Sequence, residues 1–250
     1  MSGHNRWSKI KHTKAATDAK KSKGWTKLLK EVTMAAKGGG DPDGNARLRS
    51  AIEKARAGNV PNDTIKRSIQ KGTGELAAET YEELLYEVYG PGGTACVVEI
   101  LTDNRNRTAG EIRKLLERAN GKLAASGSVL YLFHKRGHLV FEKQGIDEDK
   151  LMEAALDAGA EDVRTEGDIF LVVTEAGKMH DIMGTLEKKG MKPSHSEVGM
   201  YPDTHVHLEG KDAEHMWKLV QQLEDHDDVQ NVYANYDIDD ALVEQLSASA

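Results

Sequence analysis

The chain has 250 residues, a formal net charge of −7 and a single cysteine, Cys96. One cysteine excludes an intramolecular disulfide. The sequence has no apolar run long enough to span a membrane and no apolar signal-peptide core, so we expect a cytoplasmic protein without membrane partners. A chain of this length predicts two or three domains.

Charge divides the chain into two unequal parts. Residues 1–80 hold 17 Lys or Arg and 8 Asp or Glu, a net charge of +9, whereas residues 81–250 hold 17 and 33, a net charge of −16. The segment 2–37 alone carries ten basic and two acidic residues. A basic head on an acidic body predicts a polyanionic partner, and nucleic acid is the common one.

The basic part reads as helical. Apolar residues recur at helical spacing over 25–37 and again over 48–55, and each run ends at glycine. A further helix is predicted from about Pro61 to Gly72, and a short one over 13–21, where almost no apolar face exists. Together these segments predict a small all-α domain spanning residues 1–79.

From Tyr81 onward, strand-like runs alternate with helical ones. Residues 136–201 follow the order β-α-β-β-α-β, which is one ferredoxin-like unit. The flanking strands and helices, including a strand predicted over SVLYLF (128–133), supply the elements of a second unit. We therefore predict an α+β protein in which a domain of residues 135–202 is inserted into a domain of residues 80–134 plus 203–240, although two adjacent domains remain an alternative.

The lysine array is the candidate nucleic-acid interface. Lysine ammonium groups neutralise phosphates, whereas bidentate guanine recognition usually uses arginine. The array therefore predicts phosphate contacts with little reading of base sequence. The candidate nucleic-acid-binding residues are Lys9, Lys11, His12, Lys14, Lys20, Lys21, Lys23, Lys27, Arg47 and Arg49.

The motif TDNRNRT (102–108) lies between a predicted strand and a predicted helix. Its polar residues can cap the helix. Arg105 and Arg107 are interpreted either as contacts to phosphate or an acidic partner, or as members of an internal ion pair.

Catalytic and metal sites are not predicted. The histidines have no cysteine partner and lie in an acidic region, which disfavours zinc. No nucleophile elbow, phosphate-binding loop or dinucleotide fingerprint is present in the sequence. We predict a non-enzymatic protein with no cofactor and no metal.

Five motifs occur in one order: GHNRWSKIKH, the run from Gly38 to Glu75 that begins GGGDPDGNARLR, YEVYGPGG, LTDNRNRT and SGSV. Because of these motifs and their order, the chain resembles the YebC/PmpR family of probable transcriptional regulators. The resemblance covers essentially the whole chain and is strongest up to Val129. It departs at Gly24-Trp25, where an aliphatic residue followed by Phe is more usual.

The resemblance implies a three-domain, cytoplasmic, DNA-binding regulator of transcription. It also implies relatives that act in translation, as mitochondrial translational activators or on ribosomes. Our first hypothesis is therefore a DNA-binding transcriptional regulator. The alternative is a translation factor that binds ribosomal RNA through the same face while the acidic domains contact ribosomal protein or tRNA. An interaction scaffold that uses the acidic body is a third class.

Overall fold

A computed structural model describes residues 18–77 and 80–248, and side chains are described from Gly24 onward except at Asp240 and the last helical residues. The described part contains eight α-helices and ten β-strands. The helices are α1 Asp18–Ala36, α2 Ala46–Ala57, α3 Asn62–Thr73, α4 Arg105–Arg118, α5 Glu148–Asp157, α6 Met179–Lys188, α7 Gly210–Glu224 and α8 Asp240–Ala248. The strands are β1 Glu82–Tyr89, β2 Ala95–Thr102, β3 Lys122–Leu123, β4 Phe133–Glu142, β5 Asp162–Glu166, β6 Ile169–Glu175, β7 His195–Pro202, β8 Val206–His207, β9 Val229–Ala234 and β10 Tyr236–Asp237.

Helices α1, α2 and α3 form an all-helical domain around a small apolar core. Asn45 caps α2 by accepting a hydrogen bond from the Leu48 N–H at 3.1 Å, and the Trp25 indole donates to the Gly58 carbonyl at 2.8 Å. A Cβ at Gly72 would lie 2.3 Å from the Thr33 carbonyl oxygen. Only glycine therefore allows α3 to pack this closely on α1.

The next domain is a four-stranded antiparallel sheet in the order β3-β1-β2-β9. Strands β1 and β2 form a hairpin around a 3-10 turn at Pro91–Gly93. Helices α4 and α7 cover one face of the sheet and bury a core that includes Ile112, Leu116 and Leu219. Strand β9 lies more than 120 residues after β2 in the chain, so the chain returns to complete this sheet.

The intervening residues form a second antiparallel sheet, in the order β5-β6-β4-β7, with α5 and α6 on one face. If the four strands of this domain are numbered by their order in the chain, they lie in the sheet in the order second, third, first, fourth. This is the ferredoxin-like arrangement. The predicted fold class is confirmed: an α+β protein with an all-helical domain followed by two α+β domains.

Two element predictions are wrong. The predicted strand over 128–133 is a 3-10 turn at Leu130–Leu132 that leads into β4. The predicted break between helices at 21 and 25 is also absent, because α1 runs without interruption through Gly24. A single glycine costs a helix only about 1 kcal/mol, which the packed half of α1 offsets.

None of the described helices is long and apolar enough to cross a membrane.

Candidate nucleic-acid interface and domain junction

The structure places only part of the predicted interface. Lys9, Lys11, His12 and Lys14 lie outside the described residues. Lys20, Lys21 and Lys23 lie on α1, where the backbone is described and the side chains are not. The structure therefore brings together three of the predicted lysines on the first turns of one helix.

Lys27 faces the neighbouring domain instead of open solvent. Its ammonium group donates to the carbonyl oxygen of Glu224, at the end of α7. Burial lowers the pKa of Lys27 below its ordinary value, although Glu224, Asp225 and Asp227 favour the charged form. A phosphate would have to replace a contact that Lys27 already makes.

The two predicted arginines of α2 differ in their contacts. Arg47 forms an ion pair with Glu83 at the start of β1, and both side chains are about half exposed. Arg49 is exposed, and no acidic side chain of the described residues lies within 4.0 Å of it. Of the two, Arg49 is the one available to a polyanion.

Arg105 and Arg107 open α4, where the Asn104 side chain caps the helix by accepting from the Arg107 N–H at 3.1 Å. Arg105 is exposed. Arg107 donates to Asp103 at 2.6 Å and to Asp228 at 2.9 Å. These hydrogen bonds raise the pKa of Arg107 above its ordinary value. The structure thus places Arg107 in internal ion pairs.

Asp228 is the centre of the junction between the helical domain and the first sheet. It is 2% exposed. One carboxylate oxygen accepts from the Lys30 ammonium at 2.7 Å, and the other accepts from Arg107 and lies 3.0 and 2.7 Å from the Thr102 and Thr108 hydroxyls. Burial alone would raise the pKa of Asp228, but hydrogen bonds from Lys30, Thr108 and Arg107 hold it well below its ordinary range.

We call Lys30, Asp103, Arg107 and Asp228 the junction cluster. The cluster contains two cations and two carboxylates. The negative charge of the buried Asp228 carboxylate is therefore compensated by cations from two different domains. The sequence does not single out Asp228, and it presents Lys30 only as a member of the lysine array. The acidic run around Asp228 resembles an ordinary solvated turn, and Lys30 is one lysine among many.

His226 continues the cluster toward solvent. Its Nδ1 accepts the Asp228 N–H at 3.1 Å, and its Nε2 lies 2.9 Å from a carboxylate oxygen of Glu111. Ligand-type atoms of Glu111, His226 and Asp228 lie within 4.8 Å of one another. Both Asp228 oxygens are already used by cations or hydroxyls, so the donor set does not fit a metal ion and we assign none.

A groove of about 620 Å³ runs along this junction. Lys114 and Arg118 of α4 line one side, Thr26 of α1 lines another, and Asp225 and Asp227 of the loop after α7 also border it. The groove therefore combines exposed cations with exposed acids, and it opens beside the helix that carries Lys20, Lys21 and Lys23.

Comparison with known proteins gives consistent matches over nearly the whole chain. The family model described as the TACO1/YebC protein N-terminal domain matches residues 5–75. The one described as the TACO1/YebC second and third domain matches residues 81–236.

Curated relatives match over their full length. Proteins of Citrifermentans bemidjiense and Geobacter sulfurreducens, each named a probable transcriptional regulatory protein, are 53% identical over 247 residues, which is 98% of this chain and 100% of theirs. A crystal structure of a conserved hypothetical protein from Aquifex aeolicus is 38% identical, with a TM-score of 0.79 over 90% of this chain and 94% of that one.

Proposed function

The chain belongs to the TACO1/YebC family, and from that membership we propose that it is a non-enzymatic transcriptional regulator that binds DNA through its helical domain. Relatives with 53% identity carry the name probable transcriptional regulatory protein. The helical domain grips the phosphate backbone, and the acidic domains hold it in position.

The observation that carries the proposal is the separation of charge. Residues 1–80 carry a net charge of +9 and the rest carries −16, so polyanion attraction is confined to one end of the molecule. In the helical domain, Arg49, Lys66, Arg67 and Lys71 are exposed, and no described acidic side chain lies within 4.0 Å of them. These cations are free to neutralise phosphates.

We assign the main contacts to the predicted residues other than Lys27 and Arg47. Lys27 and Arg47 already engage Glu224 and Glu83, so they make a secondary contribution. The main contacts are Lys9, Lys11, His12, Lys14, Lys20, Lys21, Lys23 and Arg49. Because most are lysines, binding depends weakly on base sequence.

Neutralising three lysines of α1 tests the proposal. The substitutions Lys20→Gln, Lys21→Gln and Lys23→Gln remove three cations without adding acids. At 0.1 M salt we expect affinity for duplex DNA to fall roughly 30-fold or more, because each lost phosphate contact forfeits counterion release. Fluorescence anisotropy with a labelled duplex measures this affinity.

The matched control removes the same charge elsewhere. Lys188, Lys189 and Lys192 lie exposed in the inserted domain, and their replacement by Gln changes net charge equally. We expect this control to bind nearly as the wild type does. Equal affinities of the two triple variants would contradict the proposal.

A ribosomal RNA target is the second candidate, because a lysine-dominated surface binds any phosphate backbone. Crosslinking in cells followed by sequencing of the recovered nucleic acid separates the two polymers. Promoter DNA is the expected product. Recovery of ribosomal RNA alone would reassign the protein to translation.

A further inference from the structure

Helix α4 carries a short basic row on the side that faces the junction groove. Lys114 and Arg118 are four residues apart and both exposed, so they lie on one face of the helix. Among the described residues, no acidic side chain lies within 4.0 Å of either. These two cations therefore have no partner in the described part of the fold.

The row borders the same groove as α1, the helix that carries Lys20, Lys21 and Lys23. The groove that Lys114 and Arg118 line is bordered by Thr26 of α1, and α1 continues from Thr26 toward Lys23, Lys21 and Lys20. The two helices belong to different domains, and both border this groove.

The junction cluster fixes the two helices relative to each other. Lys30 of α1 and Arg107 of α4 contact the two oxygens of a single buried carboxylate, Asp228. Lys27 adds a second contact between α1 and the end of α7. The two helices are thus held together before any ligand arrives, which reduces the entropic cost of binding.

We propose that Lys114 and Arg118 contact the backbone of the same nucleic acid that α1 binds, so that the interface spans the helical domain and the first α+β domain. This inference rests on the proposed function. The ligand class is a polyanion with repeated phosphates, because the cations are spread over two helices and not gathered into a single pocket.

Two acids of the groove limit where the backbone can lie. Asp228 and Asp103 are neutralised within the junction cluster, and Glu111 lies 2.9 Å from His226 Nε2, whereas Asp225 and Asp227 are exposed. The phosphates therefore follow the rim formed by Lys114 and Arg118 and stay away from the loop after α7. Removing one of these acids should therefore strengthen binding, whereas removing the cations should weaken it.

Charge neutralisation in the full chain tests the inference. The double variant Lys114→Gln/Arg118→Gln is compared with Lys188→Gln/Lys189→Gln, an equal charge change at the C-terminal end of α6. We expect the first to bind a 20-base-pair duplex about 10-fold more weakly, with a log-log salt slope shallower by about 2. We expect the control to match the wild type, and Asp225→Asn to bind more tightly.

The outcomes separate the inference from the proposed function. If the Lys20, Lys21 and Lys23 substitutions weaken binding while the Lys114/Arg118 variant matches its control, the inference is wrong and the proposed function stands. A weaker Asp225→Asn complex would also contradict the inference. If the wild type binds no nucleic acid, both fail. The side chains of Lys114, Arg118, Lys188, Lys189 and Asp225 are exposed, and circular dichroism with thermal unfolding verifies that each variant folds.

Discussion

Asp228 joins two domains through a single side chain. A carboxylate with 2% exposure would be strongly unfavourable if left unpaired. Here cations from both domains and two threonine hydroxyls offset that cost. Because Lys30 reaches it from the helical domain, the carboxylate oxygen that Lys30 contacts keeps this partner only while the two domains remain in contact.

Replacing Asp228 by Asn removes the charge and keeps the shape. We expect a destabilisation of about 3 kcal/mol, because Lys30 and Arg107 lose their common partner in a buried site. Thermal unfolding followed by calorimetry measures the change.

The variant Lys30→Met separates the domain contact from the rest of the cluster, because Asp228 keeps Arg107, Thr102 and Thr108. We expect a smaller loss of stability, together with faster cleavage by a glutamyl endopeptidase at Glu75 in the segment between the domains. The control Lys218→Met removes only a surface ion pair, in which the Lys218 ammonium lies 3.9 Å from a Glu214 carboxylate oxygen, and should change neither quantity. Cleavage of Lys30→Met at the wild-type rate would contradict this role for the junction.

At the scale of elements, β1 holds the segment that connects the two α+β domains. Glu87 of β1 is 4% exposed, and its carboxylate accepts N–H bonds from Gly127, from Val129 at 2.7 Å and from Leu130 at 2.8 Å. Burial tends to raise the pKa of Glu87, but these backbone hydrogen bonds lower it below its ordinary value. The ionised carboxylate therefore accepts hydrogen bonds from backbone N–H groups, as a neighbouring strand would have done if residues 128–133 formed a strand.

We call the hydrogen bonds between the Glu87 carboxylate and the backbone of residues 127–130 the Glu87 clamp. The clamp predicts that the folded protein loses stability as pH falls. Because the pKa of Glu87 is lower in the folded protein than in the unfolded chain, its stabilisation is present above about pH 4.3 and is lost as pH falls through the lowered folded value. In Glu87→Gln we expect lower stability at pH 7 and a weaker decline between pH 5 and pH 3. Chemical denaturation at several pH values measures both. An equally steep decline in the variant would show that other carboxylates carry the acid sensitivity.

The elements that the sequence predicts well are those with local signals. Helices α2 and α3 follow from apolar spacing and terminal glycines, and β5 and β6 follow from two successive strand-like runs in the predicted β-α-β-β-α-β unit. The clamp and the junction cluster have no such signal, since Lys30 and Asp228 are 198 residues apart and Glu87 binds a loop about 40 residues later. Arg107 could be assigned to an internal ion pair only after the fold placed Asp228 beside it.

At the scale of the whole molecule, the helical domain carries the positive charge and is fixed on an acidic body. The first sheet is completed only by β9, after the inserted domain has been traversed. The loop that precedes β9 supplies Asp228, so closing this sheet also positions the partner of Lys30. The closure of this sheet therefore also fixes how the basic helical domain is oriented on the acidic body.

The salt dependence of binding tests the central claim most directly. Full-length protein is titrated against a labelled 20-base-pair duplex between 0.05 and 0.3 M salt. If the basic helical domain neutralises several phosphates, the logarithm of the association constant falls linearly with the logarithm of salt concentration, with a slope of roughly −5. A slope near zero, or no measurable binding at 0.05 M, would contradict the account.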